Sequence, residues 1–311
     1  MIYVTENVMQ LSRSLSITLL IVILCASQGI TPNVAQPRKQ KMHNRIVGGH
    51  VCKSNYEIMV SIRQVHTEQH KCGGTILNPI WILTAAHCDA KGDYVVIGLI
   101  PSEDLYYFKT GMKNQIVDWI PHPNYDEKTN TEDIALGHLA AEVNPAVYPS
   151  IQFVSLPGAF ISGELLDVCS GPALVMGWGT TSFDNPVVER KIRCVDLPVI
   201  SQSECAEAYR AINHETFITD TSVCTHTEEE KDACSGDSGG PLLCDGVQYG
   251  VVSWGTNCAQ FPGVYTRTDR HLDFIWGTMS TLERRQIVSG GVAVASGRFA
   301  VLLLVVVELF V

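Results

Sequence analysis

Apolar positions along the chain change character at residue 46. Beyond it, short apolar or alternating runs recur between turn signals: Ile58–Val65, Trp81–Ala86, Tyr94–Ile97, Gln115–Ile120 and Ile134–Leu139, then Ala173–Met176, Ile192–Leu197, Val247–Trp254 and Val264–Thr266. Many brief runs of this kind, punctuated by Gly and Pro, predict an all-β sandwich or barrel. No fixed period recurs that would build a solenoid or a propeller. One stretch switches period. Leu272, Ile275, Trp276, Met279 and Leu282 fall at helical spacing, which predicts a terminal helix with this stripe in the core and Thr268 or Asp269 as N-cap. Between residues 144 and 163, Pro145, Pro149, Pro157, Gly158 and Gly163 mark a link between two halves.

The two ends follow other rules. Residues 15–25, LSITLLIVILC, have Arg13 ahead and Ala26-Ser27 behind, the build of a secretory signal peptide over 1–27. The run is too short to span a bilayer, and Met9 is an alternative start. Residues 28–45 are polar, basic and aperiodic, which reads as a linker or pro-segment. The extension 283–311 ends in FAVLLLVVVELFV, behind the small residues Ser289, Gly290 and Gly291. That order resembles a lipid-anchor signal, but Glu308 interrupts the tail and Arg298 breaks any run long enough to cross a membrane. Three fates stay open for it: a removed anchor signal that tethers the protein to the outer membrane surface, an inserted segment, or a plain extension.

Composition narrows the class. The 311 residues are 46% hydrophobic and 17% charged, which is globular. The formal net charge is −10, and the first 45 residues hold Arg13, Arg38, Lys39, Lys41 and Arg45 against only Glu6. The body is thus more acidic than the whole and has no electrostatic footprint for nucleic acid. Of eleven cysteines, Cys25 leaves with the signal, and the even remainder in an exported chain implies a disulfide framework. No Asn-x-Ser/Thr sequon is present, so N-glycosylation is not expected.

The sharpest chemistry lies in Asp232-Ala-Cys-Ser-Gly-Asp-Ser-Gly-Gly-Pro241. Small neighbours let a carbonyl approach Ser238 closely, and backbone N–H groups at Gly236 and Ser238 are suited to a developing oxyanion. Taken alone, the Gly-x-Ser-x-Gly string also fits the nucleophile elbow of an α/β-hydrolase. A serine needs a base, and the base needs an orienting carboxylate. His87, ending an apolar run in TAAHC, and Asp133, opening another in DIAL, are the candidates. Each also has an ordinary reading, as a structural histidine and as a turn residue.

Seven strings occur in order: IVGG (46–49), TAAHC (84–88), DIAL (133–136), GWG (177–179), GDSGGP (236–241), SWG (253–255) and PGVYT (262–266). Together they resemble the trypsin-like serine proteases of the chymotrypsin family over about residues 46–282. The resemblance implies two packed antiparallel Greek-key β-barrels with a C-terminal helix. It further implies Ser238 as nucleophile, His87 as general base then acid, Asp133 as orienting carboxylate, and Gly236 with Ser238 as oxyanion hole. Asp232 would lie at the bottom of the specificity pocket, with Ser253, Gly255 and Gly263 along its walls. A buried carboxylate there would select Arg or Lys, since leaving it unpaired is costly. Cleavage between Arg45 and Ile46 would free an ammonium that pairs with Asp237 and orders the site. The family's pairing would join Cys52 to Cys194, Cys72 to Cys88, Cys169 to Cys244, Cys205 to Cys224 and Cys234 to Cys258.

The sequence also departs from the family. Leu99, after Gly98, stands where calcium-binding trypsins carry an acid, so no metal site is expected, and the chemistry needs no cofactor. The Cys169–Gly177 segment is longer than usual and the Cys258–Gly263 segment shorter. The expectation is a secreted, extracellular and monomeric zymogen of a Ser-His-Asp endopeptidase. Its partners would be substrates with Arg or Lys before the cut bond, and protein protease inhibitors. Two rivals are weaker. A catalytically silent homologue acting as a binding module would usually lack a triad member, and an α/β-hydrolase would have only His271 after Ser238 to recruit.

Overall fold

The computed structural model describes residues 49–180, 188–226, 232–258 and 260–282. The expected signal peptide, the pro-segment, the Arg45–Ile46 junction and the extension beyond 282 lie outside the described residues, as does the acidic run Glu228–Glu230.

A two-residue strand β1 (His50–Val51) precedes the first half, which is built from β2 (Met59–Arg63), β3 (His70–Asn78), β4 (Trp81–Thr84), β5 (Tyr94–Ile97), β6 (Met112–Pro121) and β7 (Ala135–Leu139). These six close into an antiparallel barrel in the order β2-β3-β4-β7-β6-β5. Every residue of β2, β4 and β7 is buried, because a small barrel fills its interior and is covered outside as well. Along β6 the pattern alternates: Asn114 and Ile116 are buried, while Lys113, Gln115 and Val117 face solvent. Ile62, Ile76, Trp81, Ile82, Leu83 and Ile97 fill the core with no exposed surface.

The second half carries β8 (Ala173–Gly177), β9 (Arg193–Leu197), β10 (Val199–Ile200), helix α1 (Gln202–Arg210), β11 (Ser222–Thr225), β12 (Pro241–Cys244), β13 (Val247–Trp254) and β14 (Gly263–Arg267). Its sheet runs β1-β9-β8-β12-β13-β14-β11-β10. The chain is therefore all-β in two sheets, but only the first closes. The second is an open half-barrel among the described residues, since its edges, β1 and β10, are two residues each and too short to complete a ladder. The 144–163 segment lies between β7 and β8 and touches both sheets, by the Val154 N–H to the Ile76 carbonyl of β3 at 2.9 Å and by a bridge from Ser155 to Val247.

The terminal helix α2 occupies 272–282 of the described residues. Two details of its expected packing need correction. Ile275 and Met279 are buried, but Trp276 is 48% exposed, because it sits a fifth of a turn or more from the line joining those two. Neither Thr268 nor Asp269 caps the helix. The Thr268 hydroxyl donates to the Gln248 carbonyl at 2.6 Å, and Asp269 is held by Arg267 at 2.9 Å through both carboxylate oxygens. Helix α1 was not expected at all. The Ser201 hydroxyl accepts the Glu204 N–H at 3.1 Å, a side-chain cap, and Cys205 and Tyr209 anchor the helix in the core.

Five disulfides pin the sheets: Cys52–Cys194, Cys72–Cys88, Cys169–Cys244, Cys205–Cys224 and Cys234–Cys258. Each contributes about 2–4 kcal/mol. The face of α2 can be tested by truncation. Met279→Ala should cost about 2–4 kcal/mol in chemical denaturation, whereas Trp276→Ala should stay within about 0.5 kcal/mol. Equal costs would mean the helix packs on a different face.

Candidate active site

Strand β4 runs out at Thr84, and Ala85 and Ala86 carry the chain into a single 3-10 turn over Ala86–Cys88. The turn closes with Asp89 in a left-handed conformation and is stapled to β3 by Cys72–Cys88. It holds His87 at the barrel rim with its side chain 27% exposed. Asp133 enters from the other side, just before β7, and its carboxylate has no exposed surface. One oxygen accepts the His87 backbone N–H at 2.9 Å. The other accepts His87 Nδ1–H at 2.7 Å and the Ser253 hydroxyl at 2.5 Å. The Thr266 hydroxyl donates to the Asp133 carbonyl at 3.0 Å. Three donors satisfy the buried carboxylate and fix the imidazole tautomer, leaving Nε2 of neutral His87 as a lone pair.

Ser238 reaches this turn through its backbone. The Gly73 N–H donates to the Ser238 carbonyl at 2.8 Å, and Cys88 Sγ lies 3.9 Å from the same oxygen. The loop around Ser238 is closed by Asp237 N–H to Cys234 O at 2.9 Å, Gly239 N–H to Val252 O at 2.8 Å and Gly240 N–H to Asp237 O at 2.8 Å. The N–H groups of Gly236 and Ser238 take no acceptor among the described residues. Gly236 (φ 101°) and Gly239 (φ 81°) supply the backbone angles this loop requires. At Gly239 a Cβ would stand 2.1 Å from the Thr84 hydroxyl.

Asp237 is fully buried, with its oxygens taking Gly179 N–H at 2.7 Å and Cys234 N–H at 2.9 Å. Burial pushes its carboxyl up to about 6, and those two N–H groups offset part of the effect. Gly177 and Gly179 crowd against it, so that a Cβ on either would fall within 2.2 Å of a carboxylate oxygen.

Beside Ser238 opens a cavity of about 170 Å³, and Asp232, Ser253, Gly255, Gly263 and the Cys234–Cys258 disulfide line it too. Asp232 is 2% exposed. A Cβ on Gly263 would lie 3.1 Å from the Asp232 carboxylate, so glycine there keeps the wall thin. Burial, with the Asp232 charge beside it, raises the pKa of Tyr265. The structure thus brings His87, Asp133, Ser238, Gly236, Asp237, Asp232, Ser253, Gly255 and Gly263 into one region. Arg45 and Ile46 lie outside the described residues.

Two contributions went unnoticed in the sequence. Ser253 was singled out as a pocket residue, but its hydroxyl is also a donor to Asp133. The second is a hydrogen-bonded chain behind the Ser238 loop. The Gly236 carbonyl can only accept, so His70 Nε2 donates to it at 2.8 Å. His70 Nδ1 then accepts from the Ser61 hydroxyl at 2.9 Å, and Ser61 Oγ accepts from Arg63 Nε at 3.3 Å. Arg63 is flanked by the rings of Tyr106 and Phe108 at 5.5 and 5.3 Å. The only sequence signal was a histidine two residues before Cys72, which by itself says nothing.

Architecture and site together define a class, the serine hydrolases of all-β build. Comparison with known proteins narrows it. The Trypsin family model matches residues 46–275. A trypsin of Squalus acanthias is 34% identical over 244 residues, 77% of this chain and 98% of that protein. Trypsin-3 of Salmo salar is 35% identical, over 76% of this chain and 94% of its own length, and serine protease 1 of Homo sapiens is 32% identical, over 76% and 90%. The chain belongs to the trypsin family and is a serine endopeptidase.

Two outcomes follow. Ser253→Ala removes a hydrogen bond to a charged group, worth about 1.5–3 kcal/mol, and should lower kcat/KM about tenfold or more with the fold intact. Steady-state kinetics on that variant decides it, and an unchanged value would remove Ser253 from the support of Asp133. Burial lowers the His70 pKa to about 4, from an ordinary value near 6.5. Above 6.5 His70 is neutral folded or unfolded and costs nothing. As pH falls from 6.5 to 4 only the unfolded chain takes the proton, so stability is lost on acidification. Urea midpoints should therefore fall less steeply over this window in His70→Gln than in the parent, and parallel slopes would contradict it.

Proposed function

We propose that this chain is the zymogen of a secreted endopeptidase that cleaves peptide bonds after Arg or Lys. The observation that carries the reading is that one cavity is lined by both Ser238 and the 2%-exposed Asp232. A cationic side chain seated against Asp232 would bring the following carbonyl to Ser238. An apolar side chain there would bring no opposite charge to the buried carboxylate, so the pocket favours cationic side chains over apolar ones.

In this mechanism His87 Nε2 takes the Ser238 proton as Oγ attacks the carbonyl carbon, and the Gly236 and Ser238 N–H groups bind the oxyanion. The resulting imidazolium lies on the Asp133 carboxylate, 2.7 Å away. His87 then gives its proton to the leaving amine, and water, activated the same way, hydrolyses the acyl-enzyme and restores Ser238. The signal over 1–27 directs export, and the ten paired cysteines fit an oxidising compartment. Cleavage after Arg45 releases the 28–45 segment, since no cysteine there tethers it. The new Ile46 ammonium then pairs with Asp237, whose burial disfavours an uncompensated charge.

The test is hydrolysis of small Arg, Lys, Phe and Ala substrates before and after a verified cut at Arg45, with Ser238→Ala as control. Turnover of the Arg and Lys substrates only after the cut supports the reading. Silence after the cut would favour a binding module, and turnover of Phe would place Asp232 elsewhere in recognition. Asp133→Asn should lower kcat by about 10⁴. The cut should also raise the Tm at pH 7 by about 3 °C or more, the shift that ~1 kcal/mol makes in a domain of this size. The gain should shrink at pH 5, below the Asp237 value of about 6, where the carboxyl is largely protonated and has no charge to pair. A gain independent of pH would argue against Asp237 as the partner.

A further inference from the structure

Glu132, the residue before Asp133, belongs to a second polar cluster that the serine chemistry does not use. Its Oε1 accepts the Thr221 hydroxyl at 2.9 Å. Its Oε2 lies 2.5 Å from His271 Nε2 and 3.9 Å from His122 Nδ1. The two imidazoles stand edge to face with centroids 5.0 Å apart, and Phe274 holds His122 from another side at 4.9 Å. One donor atom from each of the three residues falls within 4.8 Å of the others.

The hydrogen positions follow from the partners. His271 Nδ1 lies 2.6 Å from the Arg267 carbonyl, which can only accept, so Nδ1 carries the hydrogen. At 2.5 Å a proton must then lie between Nε2 and Glu132 Oε2, and a metal ion that binds there takes its place. His122 Nδ1 accepts the Asn124 N–H at 3.3 Å, so it is a lone pair. Burial, reinforced by His271, lowers the His122 pKa and favours its neutral form. With that proton displaced, three electron-rich atoms converge, and each residue is oriented from behind. A carbonyl positions His271, a hydroxyl positions Glu132, and an aromatic edge positions His122. Supporting contacts of this kind are how proteins hold metal ligands.

We propose that His122, Glu132 and His271 form a binding site for a divalent transition-metal cation, with Zn²⁺ the best match. Two imidazoles and one carboxylate suit Zn²⁺, with water as the fourth ligand, whereas Ca²⁺ and Mg²⁺ prefer oxygen donors throughout. Tetrahedral bonds of about 2.0–2.1 Å set ligand atoms ~3.3 Å apart. The observed 2.5 and 3.9 Å bracket that spacing and the third pair lies within 4.8 Å, so shifts of ~1.5 Å or less complete the geometry. His122 and Glu132 keep 13% and 22% of their side chains exposed, which gives the ion a way in, while His271 is buried at 1%. The other close grouping, Cys72, His87 and Cys88, offers no thiolate, because its two sulfurs share a disulfide.

The experiment titrates Zn²⁺ into the full chain carrying Ser238→Ala, which prevents self-digestion, against a chromophoric chelator. The same titration is run on His122→Gln and Glu132→Gln in that background. One equivalent should bind, and each substitution should weaken it at least about tenfold. Equal affinity in all three proteins, or no binding by the parent, overturns the proposal. Co²⁺ absorption on the chain with the cluster intact is the second measurement, should a variant fail to fold. A visible four-coordinate band that Zn²⁺ displaces supports the site, and its failure to appear means a proton alone bridges His271 and Glu132. Both readouts follow the metal, so they stand apart from the outcome of the peptidase assays.

Discussion

The two halves of the molecule meet on Asp133. A carboxylate with no exposed surface is tolerable only when donors surround it. Those donors come from both sides: His87 from the first barrel, the Ser253 hydroxyl from β13, and the Thr266 hydroxyl of β14 on the adjoining carbonyl. If the sheets separate, Asp133 loses partners that solvent does not replace in place. The requirement that makes the halves dock is therefore the same one that orients the imidazole.

How much of this is legible in the sequence depends on the residue. Strands β4, β5 and β13 announce themselves as apolar runs, and His87, Asp133 and Ser238 sit in strings too specific to overlook. Strand β3 is hidden by Gly73-Gly74, which looks like a break. Gly73 is there because a Cβ would stand 3.2 Å from the Gly240 nitrogen, where β3 passes the Ser238 loop. Strand β12 is short and begins with Pro241. Helix α1 carries a Ser201-x-x-Glu204 signature, yet Cys205 and Tyr209 are its only buried residues, too few to register as a stripe. The His122–Glu132–His271 cluster is assembled from residues up to 149 positions apart, and no local pattern reports it.

Two buried carboxylates, treated differently, divide the work of the site. Asp133 has an imidazole and a hydroxyl as well as a backbone donor, whereas Asp237 has two backbone N–H groups and the flanks of Gly177 and Gly179. Burial raises the Asp237 carboxyl to about 6, within the loop that carries Ser238.

The chain from Arg63 through Ser61 and His70 to the Gly236 carbonyl can run in only one direction. Its first member can only give hydrogens and its last can only receive them, so neither the hydroxyl nor the imidazole between them can turn around. The Gly236 peptide is thereby latched, through polar links, to the Arg63 guanidinium on β2 of the first barrel, beside Tyr106 and Phe108. Flipping that peptide would require disengaging the latch from a barrel that closes on itself. The orientation of the loop beside Ser238 is thus held by the stiffness of a distant β-wall.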